Sequence, residues 1–369
     1  MKRRSICAVI IIILLAFASG CALQDLQPSP EIPPSATPSL PQPTQPPPQT
    51  PAPSAVMPSI DTGNLEDHEV FEQLDDADSY KIGYSVPVSD AIETLKAIQG
   101  MQRLVRDGDT LEIFDAGSDA EKQTEDVKEM IEQGYDLVFI TPVDAFGCAP
   151  PLLALAEAEI PSVLVLETSS DIDLAKGEVT ADYERIGYET GKALIESCLQ
   201  QYGRADIYLQ RNTSSLTLKE RVDGFMQALD EYEHSVRLVA AEEEKDDRQA
   251  GMDLSGIEGI NGIFFVNPQG MQGAVDFVGN KEVLIMGLDD EDYALEAVHR
   301  RQINAAMIRL PGAMGEYAMV TGYRLLSGES GSDLFMRLGG EYVDADNVWM
   351  FKREADMWMN QYGDLISRG

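Results

Sequence analysis

From Tyr80 onward the chain alternates short apolar runs with longer amphipathic stretches, and that alternation limits the fold more than any other feature. KIGYSV (81–86) has strand character, and 89–107 carries Ile92, Leu95, Ile98 and Val105 at helical spacing. Ser89 or Asp90 is placed to cap that helix. LEIFDA, a polar-start helix from Asp119 to Gln133 and DLVFITP (136–142) repeat the unit, and SVLVLE (162–167) follows another helical stretch. After Asp182 the pattern restarts with a helix at 185–201, ADIYLQ (205–210), a helix at 217–232, VRLVAA and a helix at 247–258. It continues with GIFFVN, a helix at 269–279, EVLIMGLD, a helix at 291–300 and INAAMI. Strands that alternate with helices build parallel sheets from βαβ units. Runs such as Leu137-Val138-Phe139-Ile140 suit strands buried on both faces. One large sheet, two sheets and a (β/α)₈ barrel all fit this length. Periodicity alone does not choose among them.

The segments before Tyr80 have a different character. Residues 1–21 read MKRRSICAVIIIILLAFASGC: a basic start, an apolar run too short to span a bilayer, and small residues before Cys21. That is the pattern of a secretory signal, and its Ala-Ser-Gly-Cys ending resembles the bacterial lipobox, which implies cleavage after residue 20 and lipidation of Cys21. An uncleaved anchor and a plain secretion signal are the alternatives. From Gln27 to Pro58 the chain holds 13 of its 20 prolines and almost nothing to bury, which gives an extended spacer. Residues 60–79 are acidic and contain no Lys or Arg.

The formal charge is −35, from 63 acidic and 28 basic residues. Phosphate contacts require clustered basic side chains, so the acidity argues against a nucleic-acid partner. The three histidines, His68, His234 and His299, are too dispersed to suggest a local metal site. With Cys21 lipidated, Cys148 and Cys198 remain, and they are expected as two buried free thiols.

No catalytic signature is present: no G-x-S-x-G, no phosphate loop, no H-E-x-x-H, no C-x-x-C and no G-x-G-x-x-G. The chain is therefore expected not to be an enzyme, and neither a cofactor nor a metal is expected. Polar residues instead gather at strand C-terminal ends, where open α/β sheets bind ligands. These are Thr141-Pro142-Val143-Asp144, Glu167-Thr168, Asn267-Pro268 and Asp289-Asp290.

The series KIGYSVPVSDAIETLKAIQG, DLVFITPVDA, IPSVLVLETSS, VTADYERIGYETGKAL, TLKERVDGF, FFVNPQGMQGAV, VLIMGLDD and AAMIRLP resembles the ribose-type sugar-binding periplasmic proteins, the substrate-capturing subunits of bacterial ABC importers. The resemblance runs from Lys81 to about Gly328. It implies an α/β fold of two Rossmann-like lobes with parallel sheets, joined by a hinge of crossing strands, with ligand held between them. The first lobe would comprise 80–181 plus about 311–335, and the second 182–310 plus about 336–352. Residues 1–20 would be the signal, 21–79 the lipidated cysteine and spacer, and 353–369 a tail. The stretch 341–366 is expected to add a late strand and a closing helix.

Carried over position by position, the resemblance implies a binding site of Arg221, Asn267, Asp289 and Glu167, with Thr141 at the end of the third strand. Thr168 stands where the family has an arginine beside the acid, and Arg309 where it has the hinge glutamine. Glu93 and Thr94 occupy the places of two phenylalanines that stack on the sugar, and Asp246 that of a further aromatic. The aromatic half of the site is therefore lost, or moved to Tyr84, Phe146 or Tyr183. Such a cleft suits a more polar ligand: a sugar acid, an amino sugar or a phosphorylated polyol. The expected protein is a monomeric lipoprotein outside the cytoplasmic membrane. It would deliver a small polar ligand to an ABC permease or, alternatively, signal to a membrane sensor kinase or chemoreceptor.

Overall fold

The computed structural model describes residue 74, and residues 79–352 except 210, 214, 233, 241–256, 268–269, 271–274, 276–281 and 289–291. All of these belong to one compact unit, Pro51–Gly369. Cys21, the spacer, Asp246, Asp289, the tail and most of the helices expected at 247–258 and 269–279 lie outside the described residues.

The elements follow the expected alternation. β1 (Lys81–Val86), α1 (Ile92–Arg103), β2 (Thr110–Asp115), α2 (Ala120–Glu132), β3 (Leu137–Ile140), α3 (Ala149–Glu157), β4 (Ser162–Leu166) and β5 (Gly177–Ala181) come first. Next are α4 (Tyr183–Tyr202), β6 (Ala205–Leu209), α5 (Leu216–Glu231), β7 (Val236–Ala240), β8 (Gly262–Phe265), β9 (Leu284–Leu288), α6 (Asp292–His299) and β10 (Ala305–Ile308). The chain continues with α7 (Pro311–Leu326), β11 (Phe335–Leu338) and β12 (Glu341–Asp344). A helical turn begins at Val348. Among the described residues no helix is long and apolar enough to cross a membrane.

The strands form two six-stranded sheets, in the orders β11-β5-β4-β3-β1-β2 and β12-β10-β9-β8-β6-β7. Neither closes on itself, so the barrel is excluded. Every pairing is parallel except β10 with β12. The chain passes between the sheets three times: after Ala181, after Ile308 and after Leu338. β11 remains in the first sheet as far as Leu338, a little beyond the change expected near residue 335. In each sheet the strand order reverses once, between β1 and β3 and between β6 and β8. Such a reversal opens a crevice at the strand C-termini.

Both faces of the first sheet are covered, as the continuous apolar runs imply. Phe139, Val163, Val165 and Val179 join one core with Met314, Ala318 and Met319 of α7. Val138, Ile140 and Leu164 join another with Val127 and Met130 of α2 and Leu152 and Leu155 of α3. Each such large side chain, fully buried, contributes roughly 1.5–3 kcal/mol. Cys148 and Cys198 are free and buried, as expected.

One helix cap differs from expectation. α1 begins at Ile92 with Ala91 at the cap position and no side-chain cap. The Ser89 hydroxyl instead donates to Asp115 Oδ2 over 2.5 Å, joining the loop after β1 to the end of β2. A carboxylate acceptor makes a stronger bond than a backbone cap would, and Ser89 follows it.

Candidate functional site

Arg309, just past the end of β10, reaches from the second sheet to the strand ends of the first. Its Nη2 lies 2.5 Å from Glu93 Oε2, on the first turn of α1, and its Nη1 lies 3.2 Å from Glu167 Oε1, just past β4. The same Nη1 donates to the Tyr183 hydroxyl over 2.7 Å. Tyr183 opens α4, whose start is fixed by Asp182 accepting from the Arg185 N–H. The tyrosine hydroxyl in turn lies 3.2 Å from both the Leu166 carbonyl and Glu167 Oε1, its two acceptors.

The backbone at Leu166 is strained to present this carboxylate. Leu166 has φ +67°, and the Glu167 N–H closes a γ-turn on the Val165 carbonyl at 2.8 Å. A bulky residue in that region costs of order 1–3 kcal/mol. The turn ends β4 abruptly at Leu166.

Arg221 approaches from α5. Its guanidinium lies over the Tyr183 ring at 4.8 Å, and that of Arg309 at 5.8 Å. Arg221 Nη1 donates to the Val266 carbonyl over 2.6 Å, beside Asn267, while its buried Nε has no acceptor among the described residues. The close approach depends on glycines: an added Cβ at Gly224 would lie 1.9 Å from the Glu184 carbonyl oxygen, and one at Gly187 would lie 2.2 Å from that of Arg221. The glycine of the R-x-x-G-F segment thus lets α5 lie against α4 and carries Arg221 to the start of that helix. Asn267, 6% exposed, lies just past β8 and accepts from the Gly270 N–H over 3.1 Å.

Burial pushes the Glu167 carboxyl above the usual carboxylate range. The Arg309 guanidinium opposes the rise, the neighbouring Glu93 adds to it, and Arg221 opposes it at longer range. Burial likewise raises the Tyr183 phenol and keeps it a neutral donor.

Of the expected site residues, Glu93, Glu167 and Arg309 meet directly, with Arg221 and Asn267 at the same edge of the second sheet. Thr141 is placed differently. Its hydroxyl donates to the Val165 carbonyl at 2.9 Å and pairs with the Tyr84 hydroxyl at 2.8 Å, so it braces β3 against β4 and β1. Thr94 is buried in α1 and Thr168 in the loop after β4. Tyr84 and Tyr183 are 0% and 1% exposed, so neither offers a ring face to a ligand in this conformation, while Phe146, in the loop after β3, is 61% exposed.

The sequence profile of the periplasmic binding protein domain matches residues 82–330. The chain belongs to that family. The ribose import binding protein of Haemophilus influenzae is 27% identical over 233 residues, which cover 60% of this chain and 77% of the relative. Among solved structures, an ABC transporter solute-binding protein from Mycobacterium smegmatis with bound glycerol has a TM-score of 0.62 at 25% identity. That match covers 74% of this periplasmic binding protein and 96% of the other. The fructose-binding periplasmic domain of a hybrid two-component system has a TM-score of 0.63 at 21% identity, covering 79% and 100%, a likeness of fold alone.

Two features of this periplasmic binding protein escaped the sequence reading. Gln123, buried in α2, donates to the Thr141 carbonyl at 2.9 Å and accepts from the Val143 N–H at 3.0 Å, which fixes the loop after β3. A second ionic link joins the sheets: Arg337 on β11 contacts Glu220 of α5 at 3.1 Å and Glu178 of β5 at 3.5 Å. Glu178 is 1% exposed. Glu178 Oε1 and Glu220 Oε2 are buried and without partners among the described residues. Spacing in the sequence gives no sign of either arrangement.

Proposed function

We propose that this chain is the extracytoplasmic capture subunit of an ABC importer, binding a small polar ligand of the sugar class between its two lobes. The observation that carries the reading is the Arg309 guanidinium, supplied from the end of the second sheet and held by two carboxylates of the first. Arg221 and Asn267 sit at the facing edge. Planar donors and acceptors of this kind match vicinal hydroxyls. Binding that draws the two edges together is hinge closure, which presents a closed surface to a permease. The ribose-binding relative and the glycerol-bound neighbour support the ligand class. Among the described residues of the site no nucleophile stands beside a base, and binding is the inferred role.

The fructose-binding domain of a two-component system carries the second reading, a sensor of the same fold that signals to a membrane kinase. Import and sensing differ in the partner that reads the closed form. Lipid attachment at Cys21, with the Pro-rich spacer as tether, completes the proposal: Cys21→Ser releases the protein from membranes or blocks its processing.

The test is a thermal-shift screen against sugars, sugar acids, amino sugars and polyols, followed by calorimetry. A ligand bound only by the folded state raises the melting temperature by linkage. One compound should do so saturably, and Arg221→Ala should remove the effect. If no compound of these classes shifts the melt or gives heat, the reading is wrong.

A further inference from the structure

Charge is unevenly supplied in the first-sheet half of the cleft. Glu93 and Glu167 converge on one guanidinium, and each uses a single oxygen there: Oε2 of Glu93 and Oε1 of Glu167. Among the described residues nothing bonds to Glu93 Oε1 or Glu167 Oε2. These oxygens are not sealed in, since the two side chains remain 41% and 31% exposed. Arg221 is directed elsewhere, to the Val266 carbonyl and the Tyr183 ring, and makes no direct bond to either carboxylate. Two anions therefore share one direct cation, with an open acceptor on each. Burial raises the Glu167 carboxyl, and the neighbouring Glu93 adds to the rise against the pull of Arg309.

We propose that the cleft selects a ligand bearing a protonated amine, an amino sugar or amino polyol, whose ammonium group bridges Glu93 Oε1 and Glu167 Oε2. The inference rests on the reading of this cleft as a sugar-class site and narrows it. An ammonium has three N–H donors and no acceptor, so it satisfies both open oxygens and supplies the missing charge. A hydroxyl satisfies one oxygen and leaves the charge as it was. A carboxylate or phosphate on the ligand would meet two anions whose guanidinium is already engaged. Of the three aromatics to which stacking could have moved, Tyr84 and Tyr183 are sealed in the core, which leaves only the exposed Phe146.

Calorimetry with the whole protein decides the matter. The probes are D-glucosamine and D-galactosamine, the neutral D-glucose and D-galactose, the two N-acetylated amines, D-glucuronate, D-ribose and D-fructose, at a pH where the amines are protonated. At least one free amine should bind about tenfold or more tighter than its neutral parent, and N-acetylation should remove the advantage. Glu93→Gln should shrink that advantage several-fold, with its melting temperature recorded so that lost folding is not read as lost selectivity. If a neutral sugar binds as tightly as its amine, the ammonium site is wrong and the sugar reading stands. If none of the probes binds, both are wrong.

Discussion

Arg309 donates to the Tyr183 hydroxyl over 2.7 Å, so the residue that starts the first passage into the second sheet is bonded to the residue that leaves it. Two of the three connections between the lobes are thereby coupled at the floor of the cleft. Any motion of one lobe on the other has to keep, stretch or exchange this bond.

Tyr183→Phe keeps the ring beneath the guanidinium groups and removes the hydroxyl, which accepts from Arg309 and faces the Leu166 carbonyl and Glu167 as a donor. A buried donor left short of a partner costs about 1–3 kcal/mol. The expected outcome is a loss of about 1–2 kcal/mol in a denaturant melt, with weakened ligand binding. Unchanged stability and affinity would show that the bond does not couple the passages.

Arg221→Ala removes a side chain that spends one nitrogen on Val266 and keeps another without an acceptor. Losing a charge-assisted hydrogen bond to ligand costs about 1.5–3 kcal/mol, or roughly 10- to 150-fold in affinity. Folding should suffer less than binding, as calorimetry beside a melt would reveal. The reverse order of losses would make Arg221 a structural residue.

The pH prediction concerns Glu220. Burial is the first cause of its raised carboxyl; Arg337 opposes the rise, and Glu178 and Asp182 add to it. A carboxyl whose pKa is higher in the folded than in the unfolded state favours folding below its unfolded value, about 4.3. That contribution is lost as the pH rises through the folded value. Glu220→Gln has no such proton to lose. Melts between about pH 4 and pH 7 should show the wild type losing ground to the variant as the pH rises. A constant difference across that range would refute the assignment.

Gly224→Ala places a methyl where the Glu184 carbonyl oxygen already sits. Overpacking of this kind costs typically 1–3 kcal/mol, and any retreat of α5 also withdraws Arg221 from Tyr183. Both the melting temperature and ligand affinity should fall. A variant of wild-type stability would mean that α4 and α5 have slack that the structure does not show.

Much of the fold is legible in the sequence because β3, β4, β8 and β9 are continuous apolar runs. β5 is not, for a physical reason. In GEVTA only Val179 and Ala181 are large enough or apolar enough to mark a strand, while Glu178 and Thr180 are buried polar residues. The burial of Glu178 depends on Arg337, which arrives near the end of the chain. No local pattern encodes that. The site divides the same way. Glu167, Arg221 and Asn267 stand at recognisable positions of strand and helix, so their neighbourhood could be anticipated. Tyr183 could be suggested only as a displaced aromatic, because its role is set by two arginines that the sequence keeps far from it. Ser89 illustrates local competition: its spacing suits a cap, but Asp115 is the better acceptor.

The late arrival of β11 and β12 bears on how the protein is made. β11 covers β5 at the rim of the first sheet, and β12 covers β10 at the rim of the second. Until residues 335–344 have emerged, both sheets present a bare strand edge, the feature through which partly made chains aggregate. Neither lobe corresponds to a contiguous stretch of the gene, so neither can be cut out for expression alone. A stop codon just after α7 would damage both lobes at once, although the Arg309 site and all of its described partners would still be encoded.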